Sequence, residues 1–332
     1  MAIKEGEVVL WRLDRLYRVA ATLPTPEAVR QVVFAKVDQH FSGDYLEIAE
    51  KLRERYGSHT AVFLTAAELD KVFDVMEEDG VKLGATVAMS PPSCVGTINL
   101  ALFVDMPLSR WGLLDLLKTV VEAKCITVVN RLLRCGGRRS PGTVTDAVVV
   151  GAPAESKELQ HFAGLATEVG RRAASLVKTL LSRLDRYDPF ERALGVSKSE
   201  FLDIFSRLVE KAPLPVKRED VLEELERILK DPNVWALVIA ASELDAVASE
   251  GHLPGLSVEE YLRDSSRVVA DELLGVALAD YLGGFNAVLT TYWIERVKKS
   301  GGFKELAMFS DDVLSALLAG VYLSLYKKNF NT

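Results

Sequence analysis

Short runs rich in valine, isoleucine and threonine recur through about the first 185 residues and then stop. Such runs, bounded by glycine and proline, are typical of β-strands, and helical patterns between them indicate a sheet backed by helices. Later segments show only the apolar period of helices. The chain therefore predicts two domains: an N-terminal α/β or α+β domain over residues 1–190 and a C-terminal all-α helical bundle over 217–332, joined by a helical linker region over 191–216.

The same patterns predict the individual elements. Strands are expected at 19–24, 32–38, 60–66, 84–90, 97–105, 125–133 and 146–152, and helices at 44–57, 67–80, 109–124 and 155–184. The helix from 109 has a Ser109 cap. In the back half, helices are expected at 217–230, 232–250, 257–282, 285–299 and 310–327, and the "SVEE" at 257–260 has capping-box spacing.

Composition excludes several classes of protein. The net charge of -7 and the pI of about 5.4 disfavour nucleic acid as a partner, because an acidic surface repels phosphates. Three cysteines without a CxxC pair argue against a disulfide framework or a zinc site, and a cytoplasmic location fits best. The apolar run at 313–326 is shorter than the roughly 20 residues of a spanning helix, so we expect a core helix and no membrane span.

A group of polar residues precedes two front-half strands. Gly-Thr occurs at 96–97 and at 142–143, and Asp146 stands where a strand begins. Glycine lets a ligand approach the backbone and threonine supplies a hydroxyl, which favours a binding site. Turn chemistry uses the same pairs, so a purely structural role stays open for each of them. Similarly, Glu122 and Lys124 at a helix end fit solvated charges, and His161 fits a packed, hydrogen-bonded histidine.

The order of these segments is more specific than each one alone. "GTINLALFVDMPL" (96–108), "EAK" (122–124), "GTVTDAVVV" (142–150) and "FAGLATEVG" (162–170) together resemble the adenosylcobinamide amidohydrolase family. The resemblance covers roughly residues 15–185 and implies hydrolysis of the amide that joins aminopropanol to the corrin ring. It departs from the family at Ala20, Ala21 and "LPTP", where Ser-Ser and Asn-Gly-Gly are often seen.

Amide hydrolysis requires an activated water or hydroxyl and donors for the oxyanion. By residue type, either Thr145 is a nucleophile with Asp146 as its base, or Asp146 activates water directly, while Glu122 protonates the leaving amine. We expect no cofactor in this domain. The candidates for substrate binding are Gly96, Thr97, Asn99, Gly142, Thr143 and His161.

Paired acids stand on two apolar back-half segments, at 271–272 and 311–312. A buried, unpaired carboxylate is unfavourable, and a divalent metal between helices is one common solution. Asp311 and Asp312 follow Ser310 at a helix start, so stabilisation by the helix dipole is an alternative there. The pair at 271–272 is expected in mid-helix, where the dipole contributes nothing.

"ADELLGVALADYLGG" (270–284) followed by "SDDVLSALLAG" (310–320) resembles the phosphatidylglycerophosphatase A family, and most closely its soluble archaeal branch, the alpha-ribazole phosphatases. The resemblance implies phosphomonoester hydrolysis with Mg²⁺ or another divalent cation, with Glu272 and Asp312 as catalytic residues. The implied metal ligands are Asp271, Glu272, Asp311 and Asp312. Glu243 and Asp264 are weaker candidates, and Glu295 stands near the place of a further family acid.

Both resemblances point to cobalamin salvage, so the chain is expected to be a bifunctional hydrolase of adenosylcobinamide and alpha-ribazole phosphate. Two alternatives stay open: a corrinoid-binding module without hydrolysis, and a phosphatase acting on a lipid phosphate. A homodimer formed through apolar helix faces also stays open.

Overall fold

The computed structural model describes residues 2–90, 95–135, 138–153, 159–301 and 306–330. The chain forms two compact units. The first consists of Met1–Leu133 and Ser140–Tyr187, and the second of Arg134–Arg139 and Asp188–Thr332. A mixed sheet with helices occupies the first unit and helices dominate the second, which confirms the predicted fold class. Residues 191–216, the predicted linker, lie within the second unit.

An eight-stranded mixed sheet forms the core of the first unit, in the order β4-β3-β2-β10-β7-β6-β5, with β1 paired to β2. The pairs β3–β4 and β7–β10 are parallel, and the other pairs are antiparallel. The strands are β1 (Ala2–Glu5), β2 (Val8–Ala21), β3 (Ala28–Lys36), β4 (Thr60–Thr65), β5 (Phe73–Glu78), β6 (Val81–Ser90), β7 (Val95–Val104) and β10 (Ala147–Pro153).

Side chains alternate between the two faces of this sheet. Ile98 and Leu100 of β7 and Val148 of β10 pack on the face covered by helices α3 (Arg110–Asn130) and α4 (Glu168–Leu184). The other face carries an aromatic cluster of Trp11, Tyr17, Phe34, Phe63 and Phe103. We call these the helix-covered face and the aromatic face.

The sheet curls over its aromatic face. Asn99 of β7 donates its side-chain amide to the Leu64 carbonyl of β4 at 3.0 Å, although three strands separate β7 from β4 in the sheet order. Helix α1 (Tyr45–Tyr56) follows its Asp44 cap and ends at Gly57, which confirms the predicted helix at 44–57.

The predicted helix at 67–80 is wrong. Only Leu69–Val72 is helical (α2), and Phe73–Glu78 is strand β5, which pairs with β6. Asp79 and Gly80 both have positive φ, 47° and 75°, as a tight hairpin turn requires. Gly80 therefore does not end a helix, because Asp79-Gly80 is the turn that joins the antiparallel strands β5 and β6.

The predicted strand at 125–133 is also wrong, because α3 continues to Asn130. Its β-branched residues Thr127 and Val128 are buried one turn beyond Ala123 and Lys124, which is helical spacing. The Thr127 hydroxyl donates to the Ala123 carbonyl at 2.6 Å. Packing against the sheet therefore overrides the strand preference of this segment.

Two more boundaries of the first unit differ from expectation. Helix α4 begins after its Thr167 cap, and residues 159–167 of the predicted helix 155–184 are irregular. Residues 155–158 lie outside the described residues. The predicted strand at 19–24 is the end of the longer β2, which begins at Val8 and has an irregularity between Arg12 and Tyr17.

Helices build the second unit, together with the short hairpin β8 (Arg134–Cys135) and β9 (Arg138–Arg139). Glu243 of α8 forms ion pairs with Arg134 and Arg139 and so fixes the hairpin to that helix. The helices are α5 (Pro189–Leu194), α6 (Lys198–Lys211), α7 (Arg218–Ile228), α8 (Pro232–Ser249), α9 (Val258–Leu262), α10 (Ala270–Gly283), α11 (Phe285–Gly301) and α12 (Met308–Phe330).

The predicted helix at 257–282 is two helices. Ser257 forms the expected capping box for α9, but the chain leaves the helix at 263 and re-enters it at Ala270. Asp264, between them, has φ 51°, a left-handed conformation that interrupts a helix. Asp271 and Glu272 consequently lie in the first turn of α10 and not in mid-helix.

Helix α12 packs against α7, α8, α10 and α11. In the described part of the chain it is the one helix long and apolar enough to cross a membrane, and 72% of that window is buried inside the protein. Asp245 of α8 caps its start by accepting from the Phe309 and Ser310 amides, each at 2.9 Å. Near its other end, Lys328 pairs with the buried Glu224 of α7.

Cys135 is disulfide-bonded, a single bond that an argument against a disulfide framework does not address. Cys94 lies outside the described residues. Cys125 is a free thiol. An odd cysteine count therefore left room for one disulfide bond.

Candidate functional site

The candidate site of the first unit lies where the parallel strands β7 and β10 begin. Ala147 is the register partner of Asn99, so the first residues of β7 and the residues just before β10 meet at one edge of the sheet. This edge brings together Gly96, Thr97, Gly142, Thr143, Thr145 and Asp146, all of which the sequence analysis selected.

Asp146 is bound by four donors. Oδ1 accepts from the Ile98 amide at 3.0 Å and from the Thr143 hydroxyl, and Oδ2 accepts from the Thr143 amide at 3.1 Å and from Lys124 Nζ. The side chains of Lys124 and Asp146 are only 9% and 10% exposed. Asp146 therefore ties the loop before β10 both to β7 and to α3.

Glycine is required at 142 because the Lys124–Asp146 pair occupies the space of a side chain. A Cβ at this position would lie 2.1 Å from Asp146 Oδ2 and 2.6 Å from Lys124 Nζ. At Gly96, φ is 153° and a Cβ would lie 2.2 Å from the Ala88 carbonyl oxygen of β6. Gly142 thus makes room for the Lys124–Asp146 pair, and Gly96 permits close approach of the β6 backbone.

Thr145 lies on the opposite side of the chain from Asp146. Both residues stand just before β10, and their contacts differ: Asp146 bonds to Lys124 of α3, whereas Thr145 bonds to the first residues of β7. The Thr145 hydroxyl donates to the Gly96 carbonyl at 2.9 Å and lies 2.7 Å from the Thr97 hydroxyl. Since a hydroxyl has one proton, Thr97 is the donor to Thr145 in this arrangement. Thr145 is exposed.

Asn99 lies deeper in the same edge and is buried. Its amide donates to Leu64 and also to the Thr86 hydroxyl at 3.1 Å. These bonds hold β4, β6 and β7 together, so the observed contacts of Asn99 are structural.

Glu122 and His161 are not brought to this edge. Glu122 is exposed and stands two residues from Lys124 on α3, which is about 200° around the helix axis. His161 is exposed and bonds through Nδ1 to Ser109 Oγ at 2.9 Å, at the start of α3. Lys124 lies 15 residues further along that helix, about 22 Å away.

Lys124 is the residue that the sequence analysis missed. A helix that stops at 124, as predicted, leaves Lys124 as a solvated charge at its end. The continuation of α3 to Asn130 places Lys124 inside a helix and against the sheet. The segment "EAK" carried the signal, since its Lys124 falls on the buried face of α3 at the spacing of Leu116, Val120 and Thr127.

In the second unit, acids of α10 and α12 approach one another. A Cβ on Gly275 would lie 2.9 Å from the Asp312 Cβ, which shows how closely the two helices pack. Burial raises the pKa of Asp271 to about 7, with further contributions from a side-chain hydrogen bond with Glu272 and from the negative charge of Glu272. Burial and the charges of Glu295, Asp271 and Asp311 raise the pKa of Asp312 to about 8. Asp271 Oδ1 is buried without a hydrogen-bond partner.

Lys298 of α11 lies among these acids. It pairs with Asp311 at 2.5 Å and with Glu295 at 3.0 Å, and it donates to Ser315 Oγ at 2.8 Å. Ser315 in turn donates to Glu295. Burial raises the pKa of Asp311, and the positive charge of Lys298 opposes that rise. Glu295 therefore belongs to the acid group, as its position after "YLGG" suggested.

The predicted metal ligands are only partly assembled. Asp271, Asp311 and Asp312 interact electrostatically, whereas Glu272 is exposed. Glu243 bonds to the β8–β9 hairpin, and Asp264 acts on Asp311 through its charge. Within the described residues, no group of three or more histidine, cysteine, aspartate or glutamate side chains is placed to hold a metal ion. As they stand, the described side chains do not complete a set of metal ligands.

Residues 1–183, more than half of the chain, match the model of a family of hydrolases that act on C–N bonds. The chain belongs to this family, the adenosylcobinamide amidohydrolases. The front-half resemblance is confirmed.

One curated relative is an uncharacterized protein of Methanocaldococcus jannaschii. It is 34% identical over 119 residues, which make up 33% of this chain and 90% of that protein. Solved structures give only distant likenesses, with TM-scores of 0.36. They include the protein ypjQ from Bacillus subtilis, 17% identical over 41% of this chain and 88% of that one, and the low temperature requirement C protein from Listeria monocytogenes, 20% identical over 41% and 89%.

Proposed function

We propose that the first unit hydrolyses the amide between aminopropanol and the corrin ring of adenosylcobinamide and releases adenosylcobyric acid. Family membership supports the reaction class. The observation that supports this edge as the site is the exposed Thr145 hydroxyl. Next to it, the Lys124–Asp146 pair ties the loop before β10 to β7 and to α3. In the reaction, water oxygen bonds to the carbonyl carbon, the C–N bond breaks, and the departing amine takes up a proton.

Within this proposal, Thr145 is the group that touches substrate and Asp146 is a positioning residue. Each Asp146 oxygen already accepts two hydrogen bonds, and the Thr145 hydroxyl bonds to Thr97 and Gly96 instead of to Asp146. These contacts argue against both roles considered for Asp146, as base for Thr145 and as direct activator of water. The position of Glu122, about 200° around the α3 axis from Lys124, also argues against it as the proton donor to the amine.

The test is release of aminopropanol from adenosylcobinamide by the full chain. Thr145→Val keeps the shape and removes the hydroxyl, so kcat/KM should fall by about 10²–10³-fold. Thr145→Ser keeps the hydroxyl and should retain activity within about tenfold. Val144→Ala, at the exposed neighbour, is the matched control. Full activity in Thr145→Val would remove Thr145 from the site.

A corrinoid-binding module is the alternative for this unit. It predicts that the wild-type chain changes the absorbance spectrum of adenosylcobinamide on binding while no aminopropanol is released. Release by the wild type excludes it.

We further propose that the second unit is a phosphomonoesterase acting on alpha-ribazole phosphate with Mg²⁺ or another divalent cation. The observation in favour is the close pair Asp271 and Asp312, with one buried carboxylate oxygen left without a partner. Like charges held this close are relieved by a cation or a proton. Because the described side chains do not form a ligand set, no step is assigned to a metal.

Titration calorimetry of the full chain with Mg²⁺ tests the cation requirement, with Asp312→Asn as the variant and Glu259→Gln, at an exposed glutamate of α9, as the control. Binding that is lost only in Asp312→Asn supports the proposal, and wild-type protein that binds no Mg²⁺ contradicts it. Turnover of alpha-ribazole phosphate compared with phosphatidylglycerophosphate then separates the proposed substrate from a lipid phosphate.

A further inference from the structure

An exposed apolar surface runs along α10 and α11. Three residues on each helix form it: Val269, Leu273 and Val276 around α10, and Phe285, Leu289 and Tyr292 on α11. We call it the α10–α11 face. Leu273 is 63% exposed and Leu289 is 54% exposed, although both are large aliphatic side chains.

The spacing within the two stripes is the same. Positions 269, 273, 276 and 280 repeat in steps of four, three and four, as do positions 285, 289, 292 and 296. This is the spacing of a coiled-coil seam, in which each helix packs against another along one narrow stripe. On α10 the buried residues Gly275, Leu278 and Ala279 face the bundle, so the stripe lies on the other side of the helix.

The area of the α10–α11 face approaches that of an interface. Taking about 200 Å² for a fully exposed aromatic side chain and roughly 150 Å² for valine or leucine, the exposed fractions of the six residues amount to about 600 Å². A standard protein interface buries about 800 Å² on each partner, whereas a monomer rarely exposes an apolar patch of more than a few hundred Å². A surface of this size therefore fits a protein partner.

The charged residues at the ends of the α10–α11 face indicate which kind of partner it binds. The α10 stripe ends in Asp280 and the α11 stripe ends in Arg296, both exposed. A two-fold related copy presents the same surface, so an acidic end and a basic end are both available across the interface. A bilayer fits less well, because membrane-binding faces are rich in lysine and arginine, while this chain has a net charge of -7.

We propose that the α10–α11 face binds a second copy of this chain and makes the protein a homodimer. This inference does not depend on either proposed activity. It predicts a molecular mass in solution of twice 36.5 kDa.

Sedimentation equilibrium of the full chain over about 1–200 µM tests the proposal. Leu273→Glu with Leu289→Glu should raise the dimer dissociation constant at least about 100-fold, because it places charges in the apolar centre. Leu46→Glu, at a leucine 46% exposed on α1, is the matched control and should leave the constant unchanged. If the glutamate variant misfolds by circular dichroism, Arg296→Asp supplies a milder change, with an expected increase of about fivefold.

A wild-type chain that stays monomeric throughout this range overturns the proposal. A dimer equally stable in the Leu273/Leu289 variant and in the Leu46 control also overturns it. Phosphatidylglycerol vesicles provide the remaining arm: a monomeric wild type that co-sediments with them, while the leucine variant does not, would assign the face to a membrane instead.

Discussion

The Lys124–Asp146 pair leads to a quantitative prediction about the stability of the first unit. Lys124→Met keeps the length of the side chain and removes its charge, so a carboxylate that is 10% exposed loses its only charged donor. Breaking a buried ion pair by removing one partner typically costs about 3–5 kcal/mol. Asp146 keeps three hydrogen bonds, from the Ile98 amide and from the amide and hydroxyl of Thr143, so we expect the lower end, about 3 kcal/mol.

Peptide-resolved hydrogen exchange in increasing denaturant measures the free energy of unfolding of the first unit separately from that of the second. A loss of about 3 kcal/mol corresponds to a fall in the melting temperature of the first unit of about 6–12 °C. The double variant Lys124→Met with Asp146→Asn should be clearly less destabilised than the two single variants added together, because the pair is then removed as a unit. Additivity within about 0.5 kcal/mol would refute the claim that these two residues act on each other.

Three further predictions concern other contacts. Gly142→Ala should destabilise the first unit and abolish aminopropanol release, because its Cβ would meet Asp146 Oδ2 at 2.1 Å; thermal melting and the activity assay check this, and wild-type behaviour would contradict it. Ser109→Ala should lower the free energy of unfolding of the first unit by about 1 kcal/mol, since Ser109 Oγ accepts from the Gly112 amide; Ser109→Asp, which keeps a capping acceptor, is the control in denaturant titrations. Burial acts to raise the pKa of Glu224, but its ion pairs with Arg227 and Lys328 outweigh burial and lower the pKa to about 2. The stabilisation by Glu224 is therefore present above its unfolded pKa of about 4.5 and is lost as the pH falls toward 2, so melting curves of wild type and Glu224→Gln should differ at pH 7 and converge near pH 2–3; a constant difference would contradict this.

Local signals were sufficient for many helices. The caps at Asp44, Ser109 and Ser257 all mark helix starts, because the side chain of the cap and the amides it accepts from are close in sequence. The Val-rich strand β10 also follows from its residues, since both faces of the sheet bury them.

Elements whose conformation depends on partners distant in the sequence were harder to predict. Phe73–Glu78 forms a strand because β6 pairs with it, and 125–130 stays helical because the sheet packs against it. Both errors affected the site directly. A helix α3 that ends at 124 leaves Lys124 in solvent. A single helix over 257–282 places Asp271 in mid-helix, where the helix dipole cannot stabilise its carboxylate, whereas Asp271 lies in the first turn of α10.

The candidate site shows the same division. The hydroxyl and glycine residues at 96–97 and 142–146 were found because they flank predicted strands. The bonds that distinguish Thr145 from Asp146 depend on how the turn before β10 orients each side chain, and residue types alone do not reveal that orientation. Glu122 is not at this edge because it lies on a different side of α3 from Lys124. His161 is not there because it contacts Ser109, at the start of α3.

The β8–β9 hairpin has a consequence for how the chain is made and studied. Six residues, Arg134–Arg139, belong to the second unit although both flanking segments belong to the first. Their anchors Glu243 and Glu250 follow 104–111 residues later, so a ribosome completes the front unit while this insert still lacks its support. A cut at residue 187 would leave a fragment whose hairpin lacks Glu243 and Glu250, so point variants of the intact polypeptide are the better way to test the two proposed activities separately.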